Sequence, residues 1–313
     1  MAFVQVPGNP EPEGAEELWL EGRGGVRLRA MIAPARRGPP RGSVLLFNGR
    51  TEFIEKYFEI VRELQERGFA VFTMDWRGQG LSDRLSPNPM KGHLTTLDDP
   101  VNDLATAVKS FANRLPRPHV VLAHSMGGAI ALRALQLRRL EVEAAIFSAP
   151  MWGIANLSET ALKFARFMTA IGAGGMFAPG VAKKWRKERF KRNPVTHDKT
   201  RFQRAQELVL AEPRLGLAGV TLGWVDAAAT GVEGFQQPGA LAHLRIPVVV
   251  LSAGQESLVD NASHEAVAKL LPNARVQLID GAKHEILMET DDLRAHFWRA
   301  FDALGAQVAP LPA

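Results

Sequence analysis

The 313-residue sequence contains no cysteine, which excludes disulfides and thiolate metal sites and leaves the redox compartment open. No apolar run approaches the ~20 residues a membrane helix needs, so a chain that folds in water is expected. Residues 1–14 are rich in Pro, Gly and Glu and lack the basic start and apolar centre of a secretory signal, which makes a cytoplasmic location the expectation. No nucleic-acid motif accompanies the basic pI near 9.7, and the net charge is only +5. Nucleic acid is therefore not an expected partner, whereas an anionic membrane surface fits the excess charge. Internal repeats and internal low-complexity tracts are also missing. What remains is 46% hydrophobic with mixed charge, ample for the core of one large α/β domain or two small ones.

Apolar runs and helical spacings alternate along the chain. Residues 17–34 alternate as two opening antiparallel strands around a Gly-rich turn, and the Pro/Gly/Arg patch at 35–42 is a loop. Buried-type strands follow at 43–47, 70–74 and 120–124, separated by helices carrying Tyr57, Ile60, Val61 and Leu64, then Leu104, Val108 and Phe111. Such alternation predicts a mostly parallel sheet with helices on both faces. After a strand at 143–147 the rhythm breaks, and resumes with strands at 248–251 and 275–279 and a last amphipathic helix. The expected organisation is a core in two parts, residues 1–150 and 242–313, bracketing a helical cap at 151–241. Phe164, Phe167 and Met168 suit either an adaptable apolar wall for a ligand or the cap's own core. The basic stretch 183–192, with Trp185 and Phe190 interleaved, reads as a solvated helix face or, secondarily, as a lipid-headgroup contact.

The run 120–128 ends in His124-Ser125-Met126-Gly127-Gly128. An apolar strand before it and an Ala/Leu-rich helix after it put Ser125 on a sharp strand-to-helix turn, the setting of a nucleophile elbow. Such a turn tolerates almost no side chain two residues before and after the serine, and Ala123 and Gly127 meet that demand. A serine hydroxyl needs a histidine base, and the base needs an acid to hold its tautomer. His284 and Glu256 stand just past the last two strands, at carboxyl ends beside Ser125, and are assigned as base and orienting acid. Asp260 competes for the acid's role but reads more simply as a helix cap. Charge developing on a substrate oxygen needs two donors, here the backbone N–H groups of Met126 and Arg50. The side chains of Arg50 and Glu52 either pair with each other or contact substrate, an ion pair being the simpler reading. Gly78-x-Gly80 lacks the third glycine of a dinucleotide loop and reads as a turn bracing the sheet.

Taken together, Asn48-Gly49-Arg50-Thr51-Glu52, Asp75-x-Arg77-Gly78-x-Gly80-x-Ser82, the serine run, the segments 253–260 and 281–285, and the cap motifs 193–198 and Gly223-Trp224 resemble the α/β-hydrolases of the lysophospholipase and monoacylglycerol lipase group. The resemblance implies an α/β-hydrolase fold, no cofactor or metal, fatty acyl esters as substrates, and Trp224 as a further substrate-binding candidate beside Phe164, Phe167 and Met168. An acyltransferase, a small-ester esterase and a catalytically silent scaffold that binds ligands are the alternatives. Three residues depart from the group's pattern: Ala123 for glycine, Asn48 for histidine, and Glu256 for aspartate, whose longer arm must fold back or whose loop must retreat.

Overall fold

The structure, a computed structural model, describes residues 3–36 and 38–310. Residues 1–2 and 311–313 of the terminal stretches, and Arg37 within the loop read at 35–42, lie outside the described residues.

Eight strands form one sheet: β1 (Glu16–Glu21), β2 (Arg27–Ala33), β3 (Gly42–Phe47), β4 (Phe69–Met74), β5 (His119–His124), β6 (Ala144–Ser148), β7 (Val248–Ala253) and β8 (Ala274–Ile279). Their order is β1-β2-β4-β3-β5-β6-β7-β8. β2 pairs antiparallel with β1 and β4, and every other pairing is parallel. All eight strands fall where the apolar runs placed them. β3, β4, β5 and β7 are buried at every position, because a parallel strand covered on both faces needs apolar side chains on both. Each fully buried Val, Leu or Phe contributes about 2 kcal/mol. The edge strands β1 and β8 mix exposed and half-buried positions instead. Strand order reverses between β3 and β5, so the loops leaving these neighbours diverge into a crevice at their carboxyl ends.

Around the sheet pack α1 (Phe58–Glu66), α2 (Asp98–Ser110), α3 (Ser125–Gln136), α7 (Asn261–Ala268) and α8 (Asp291–Val308). Between β6 and β7 the chain forms α4 (Glu159–Ala170), α5 (Lys199–Ala211) and α6 (Leu222–Glu233). Ser158, Asp198 and Thr221 cap these three through side-chain oxygens that accept backbone N–H groups. α4 packs on α6, and α5 is tied to α1 by Arg201 and Arg204, both paired with Glu59. The stretch 183–192 is not a helix face: apart from one short turn, Phe190–Arg192, it is irregular. Lys183, Lys184, Arg186 and Lys187 stand three and four residues apart, where a helix would stack like charges, and Trp185 packs instead against the small cluster around Phe53 and Leu215. No helix among the described residues is long and apolar enough to cross a membrane.

Candidate active site

β5 ends at His124 in extended backbone, and α3 begins one residue later at Ser125. Ser125 joins them with φ +49°, a left-handed conformation that costs a non-glycine residue roughly 1–3 kcal/mol. Neighbouring backbone holds it there. A Cβ at Gly127 would sit 2.4 Å from the Asn48 carbonyl oxygen and 2.5 Å from that of Phe47, so no side chain fits at this position. Ala123, where the related pattern has glycine, is fully buried within β5.

The structure brings the three predicted side chains together. His284 Nε2 lies 2.9 Å from Ser125 Oγ, and His284 Nδ1 lies 2.7 Å from Glu256 Oε2. An ionised carboxylate only accepts, so Nδ1 is the donor on that side and Nε2 turns its lone pair to the hydroxyl. The long arm of Glu256 folds back over its own loop: Oε1 accepts the N–H groups of Ser257 at 2.8 Å and Leu258 at 2.7 Å. Burial by itself would push this carboxyl up, but the hydrogen bond and charge of His284, then the Leu258 and Ser257 amides, hold it down at about 2. Asp260 instead caps α7 through Ala262 N–H at 3.0 Å. His124 stacks beside the base with ring centroids 4.7 Å apart and holds the Ser148 carbonyl at 2.9 Å. Burial, partly opposed by Glu52 and reinforced by His284 and Lys56, lowers its pKa to about 4, so it stays neutral. His264 is occupied between Ser252 Oγ and the Pro150 carbonyl.

The loop after β3 abuts the serine: a Cβ on Gly49 would lie 3.2 Å from Ser125 Cβ. The Gly49 amide is taken by Glu52 and the Thr51 amide by Gln79 Oε1 at 3.3 Å. The Arg50 amide between them has no protein acceptor among the described residues. Met126, second residue of α3, carries one of the first-turn N–H groups that a helix leaves without internal acceptors. Asn48 is fully buried, donating to the Met74 carbonyl at 3.1 Å, while Trp76 Nε1 donates to its own carbonyl at 2.9 Å.

Two residues that bear on the site were not legible in the sequence. Gln79, in the loop read as a brace, donates through Nε2 to the carbonyls of Gly49 at 2.8 Å and Glu52 at 3.1 Å. Gly80 lets that loop close, since at φ +57° a Cβ would fall 2.1 Å from the Asp75 carboxyl carbon. Lys56 bridges Glu52 and Glu285, both at 2.7 Å, and so links the loop after β3 to the loop of His284. Glu52 therefore pairs with Lys56 rather than with Arg50, contrary to the simpler sequence reading. The motif 193–198 also docks on the loop of the base: Val195 O accepts Glu285 N–H at 2.8 Å, and Thr196 Oγ1 donates to Met288 O at 2.7 Å. In the sequence that motif was marked only by its resemblance to the related group.

A cavity of about 530 Å³ opens beside Arg50, Leu258 and Glu285 and runs between the core and the β6–β7 segment. Phe53, Trp185, Phe202, Val209 and Leu217 give it apolar walls, and Lys184, Arg186 and Lys187 stand at its edge. Trp224 and Met126 meet across a narrow cleft of about 10 Å³, the space of about one water. Of the other predicted substrate contacts, Phe164 and Phe167 line neither space; they point outward on α4, 44% and 60% exposed. Met168 is half-buried on the same helix. The reason is α4's single buried contact face, centred on Ala165, which leaves the aromatic stripe on the opposite side.

Residues 38–291 match the Hydrolase_4 family model, described as "Serine aminopeptidase, S33". A probable lysophospholipase L2 of Haemophilus influenzae is 31% identical over 287 residues, covering 88% of this chain and 87% of that protein. Lysophospholipase L2 of Escherichia coli K12 is 33% identical over 272 residues, covering 80% and 76%. A soluble variant of monoglyceride lipase from Saccharomyces cerevisiae, solved with a substrate analogue, superposes with a TM-score of 0.70 over 93% of this chain and 95% of its own, at 19% identity. That likeness carries the α/β-hydrolase fold alone. With most of its length inside the family match, and with relatives of this identity and coverage, the chain belongs to the S33 family and is a serine hydrolase of the α/β-hydrolase fold.

Proposed function

We propose that the protein hydrolyses a fatty acyl ester of a single-chain lipid, a lysophospholipid or a monoacylglycerol, with Ser125 as nucleophile, His284 as general base and Glu256 as its orienting acid. The observation that carries this reading is the continuous chain Ser125 Oγ, His284, Glu256, with contacts of 2.9 and 2.7 Å. His284 Nε2 takes the proton as Ser125 Oγ attacks the acyl carbonyl, and the Met126 and Arg50 amides receive the oxyanion. His284 then protonates the departing alcohol, and water clears the acyl-enzyme by the same steps reversed.

Residues 151–241 act as a cap over the core in this reading, and the apolar-walled cavity beneath them takes the acyl chain. The lysophospholipase names of the relatives support a lipid ester. The family description names an aminopeptidase, yet around the cavity Arg50, Lys56, Lys184, Arg186 and Lys187 outnumber Glu188 and Glu285, a balance that disfavours the ammonium such a substrate presents. The outward stripe of Phe164, Phe167, Ile171 and Met176, and the basic stretch that follows it in the chain, suit peripheral contact with an anionic lipid surface.

The test is fatty acid release from lysophospholipid and monoacylglycerol of one acyl length, with Ser125→Ala protein as blank and a phosphonate probe to label the serine. Loss of turnover and of labelling in a folded Ser125→Ala protein is the expected result. Unchanged turnover in that variant overturns the assignment, and failure of the wild type to label indicates a silent scaffold. Capture of the acyl group by added glycerol in preference to water would make the enzyme an acyltransferase.

A further inference from the structure

Two arginines buried in the core carry their counter-charges with them. Arg29 is surrounded by Glu17, Glu55 and Asp75, and Arg77 by Asp103. Arg50 does not. Its guanidinium donates through Nη1 to the Ala218 carbonyl at 3.1 Å and lies 5.8 Å from the Trp224 ring centre, but among the described residues it makes no ion pair. Glu52, two residues away, is the carboxylate best placed to neutralise it, and is spent on Lys56, on the Tyr57 hydroxyl at 2.7 Å and on the Gly49 amide. Burial accordingly pulls the Arg50 pKa down to about 10, with no anion opposing it. A half-buried cation with no carboxylate partner among the described residues is costly, and the cost is recovered when a ligand brings the missing charge.

Position says which part of a ligand that would be. Arg50 directly follows Gly49, which abuts Ser125, and its side chain borders both the cleft at Met126 and the 530 Å³ cavity. Lys184, Arg186 and Lys187 at the cavity edge also make no ion pair among the described residues. On the lipid-ester reading above, on which this step rests, we infer that the Arg50 side chain is a phosphate subsite that selects single-chain lipids bearing a phosphate over neutral glycerides. In such a lipid the phosphate lies a few bonds from the scissile carbonyl, as the guanidinium lies a few bonds from the Arg50 amide. A planar guanidinium with free donors matches phosphate oxygens in pairs.

The experiment compares kcat/KM for 1-acylglycerol 3-phosphate, 1-acylglycerophosphocholine and 1-acylglycerol of one acyl chain, at monomeric concentrations, in wild type, Arg50→Lys and Arg50→Gln. The quantity read is the ratio of phosphate-bearing to neutral substrate within each protein, so damage to the shared oxyanion step cancels. The ratio is expected to fall about 10- to 100-fold in Arg50→Gln, the worth of a hydrogen bond to a charged group, and less in Arg50→Lys. In Ser125→Ala protein, dodecyl phosphate is expected to bind more weakly once Arg50 is also changed to Gln. A ratio unchanged within about threefold overturns the subsite. Equal inhibition of the wild type by glycerol 3-phosphate and by dodecyl phosphate would overturn its assignment to a lipid headgroup in favour of free phosphate. Phosphonate labelling of Ser125 separates the two claims: a wild type that labels but shows no change of ratio loses only the Arg50 inference.

Discussion

Exchanging Glu256 for Gln keeps the length of the side chain and an oxygen for the loop amides but removes the charge facing His284. The structure sets the scale. Against a burial that opposes it, the carboxylate is held at about 2 rather than 4.5, worth roughly 3 kcal/mol of preference for the ionised form. His284 is the largest contributor to that preference, and the attraction becomes strongest when the ring turns cationic during attack. The amide does more than withdraw this support. Its NH₂ group, if it faces Nδ1, favours the tautomer with the proton on Nε2, which then points N–H at Ser125 and is no base. Loss of charge and of tautomer together should lower kcat by about 10³- to 10⁴-fold, with KM little changed, because Glu256 faces the imidazole and does not line the 530 Å³ cavity beside Arg50. Asp260→Asn is the control. Asp260 caps α7, asparagine caps almost as well, and its kcat should stay within about threefold. Initial rates on a soluble acyl ester at neutral pH, with active sites counted by phosphonate titration, decide between them. A Glu256→Gln protein retaining more than a tenth of the wild-type kcat, or an Asp260→Asn protein more damaged than it, refutes the reasoning.

Lys56→Met should leave Glu52 and Glu285 buried without their shared cation, destabilising the fold by about 3–5 kcal/mol in urea unfolding. It should also lower kcat more than it raises KM, with most of the loss restored by Lys56→Arg; an unchanged kcat in folded Lys56→Met protein would show that the bridge does not position the loop. His124 supplies a pH dependence: its folded pKa of about 4 lies below the ordinary 6.5, so the unfolded chain binds the proton first and stability falls as pH drops from 6.5 towards 4. At pH 5 this amounts to about 2 kcal/mol relative to neutral pH, and denaturant titrations of His124→Asn should lack that share of the decline.

How much of this is legible in the sequence depends on how local the signal is. Every strand of the sheet was legible because a strand buried on both faces must be apolar throughout, and the turn at Ser125 because only small residues survive two positions either side of it. His284 and Glu256 followed from their places after β8 and β7, since topology alone carries those loops to the serine. Lys56 and Gln79 carried no such mark. Their roles arise when loops 27 or more residues apart fold onto one another, and a lysine in a short 3₁₀ turn or a glutamine between two glycines looks like any other polar surface residue. Arg50 is visible in the sequence, but the simpler of its two readings, an ion pair with the nearest acid Glu52, is not the one the structure forms. Proximity in sequence is a poor guide to pairing when a third group competes: Lys56, four residues beyond Glu52, reaches it at 2.7 Å and leaves the arginine with no ion pair among the described residues. The outward stripe of α4 is ambiguous in the sequence for a related reason. Apolar spacing identifies a face that prefers to leave water, but the same spacing describes a face turned to the core, to a ligand, or to a lipid surface, and only the packing of α4 on α6 decides which.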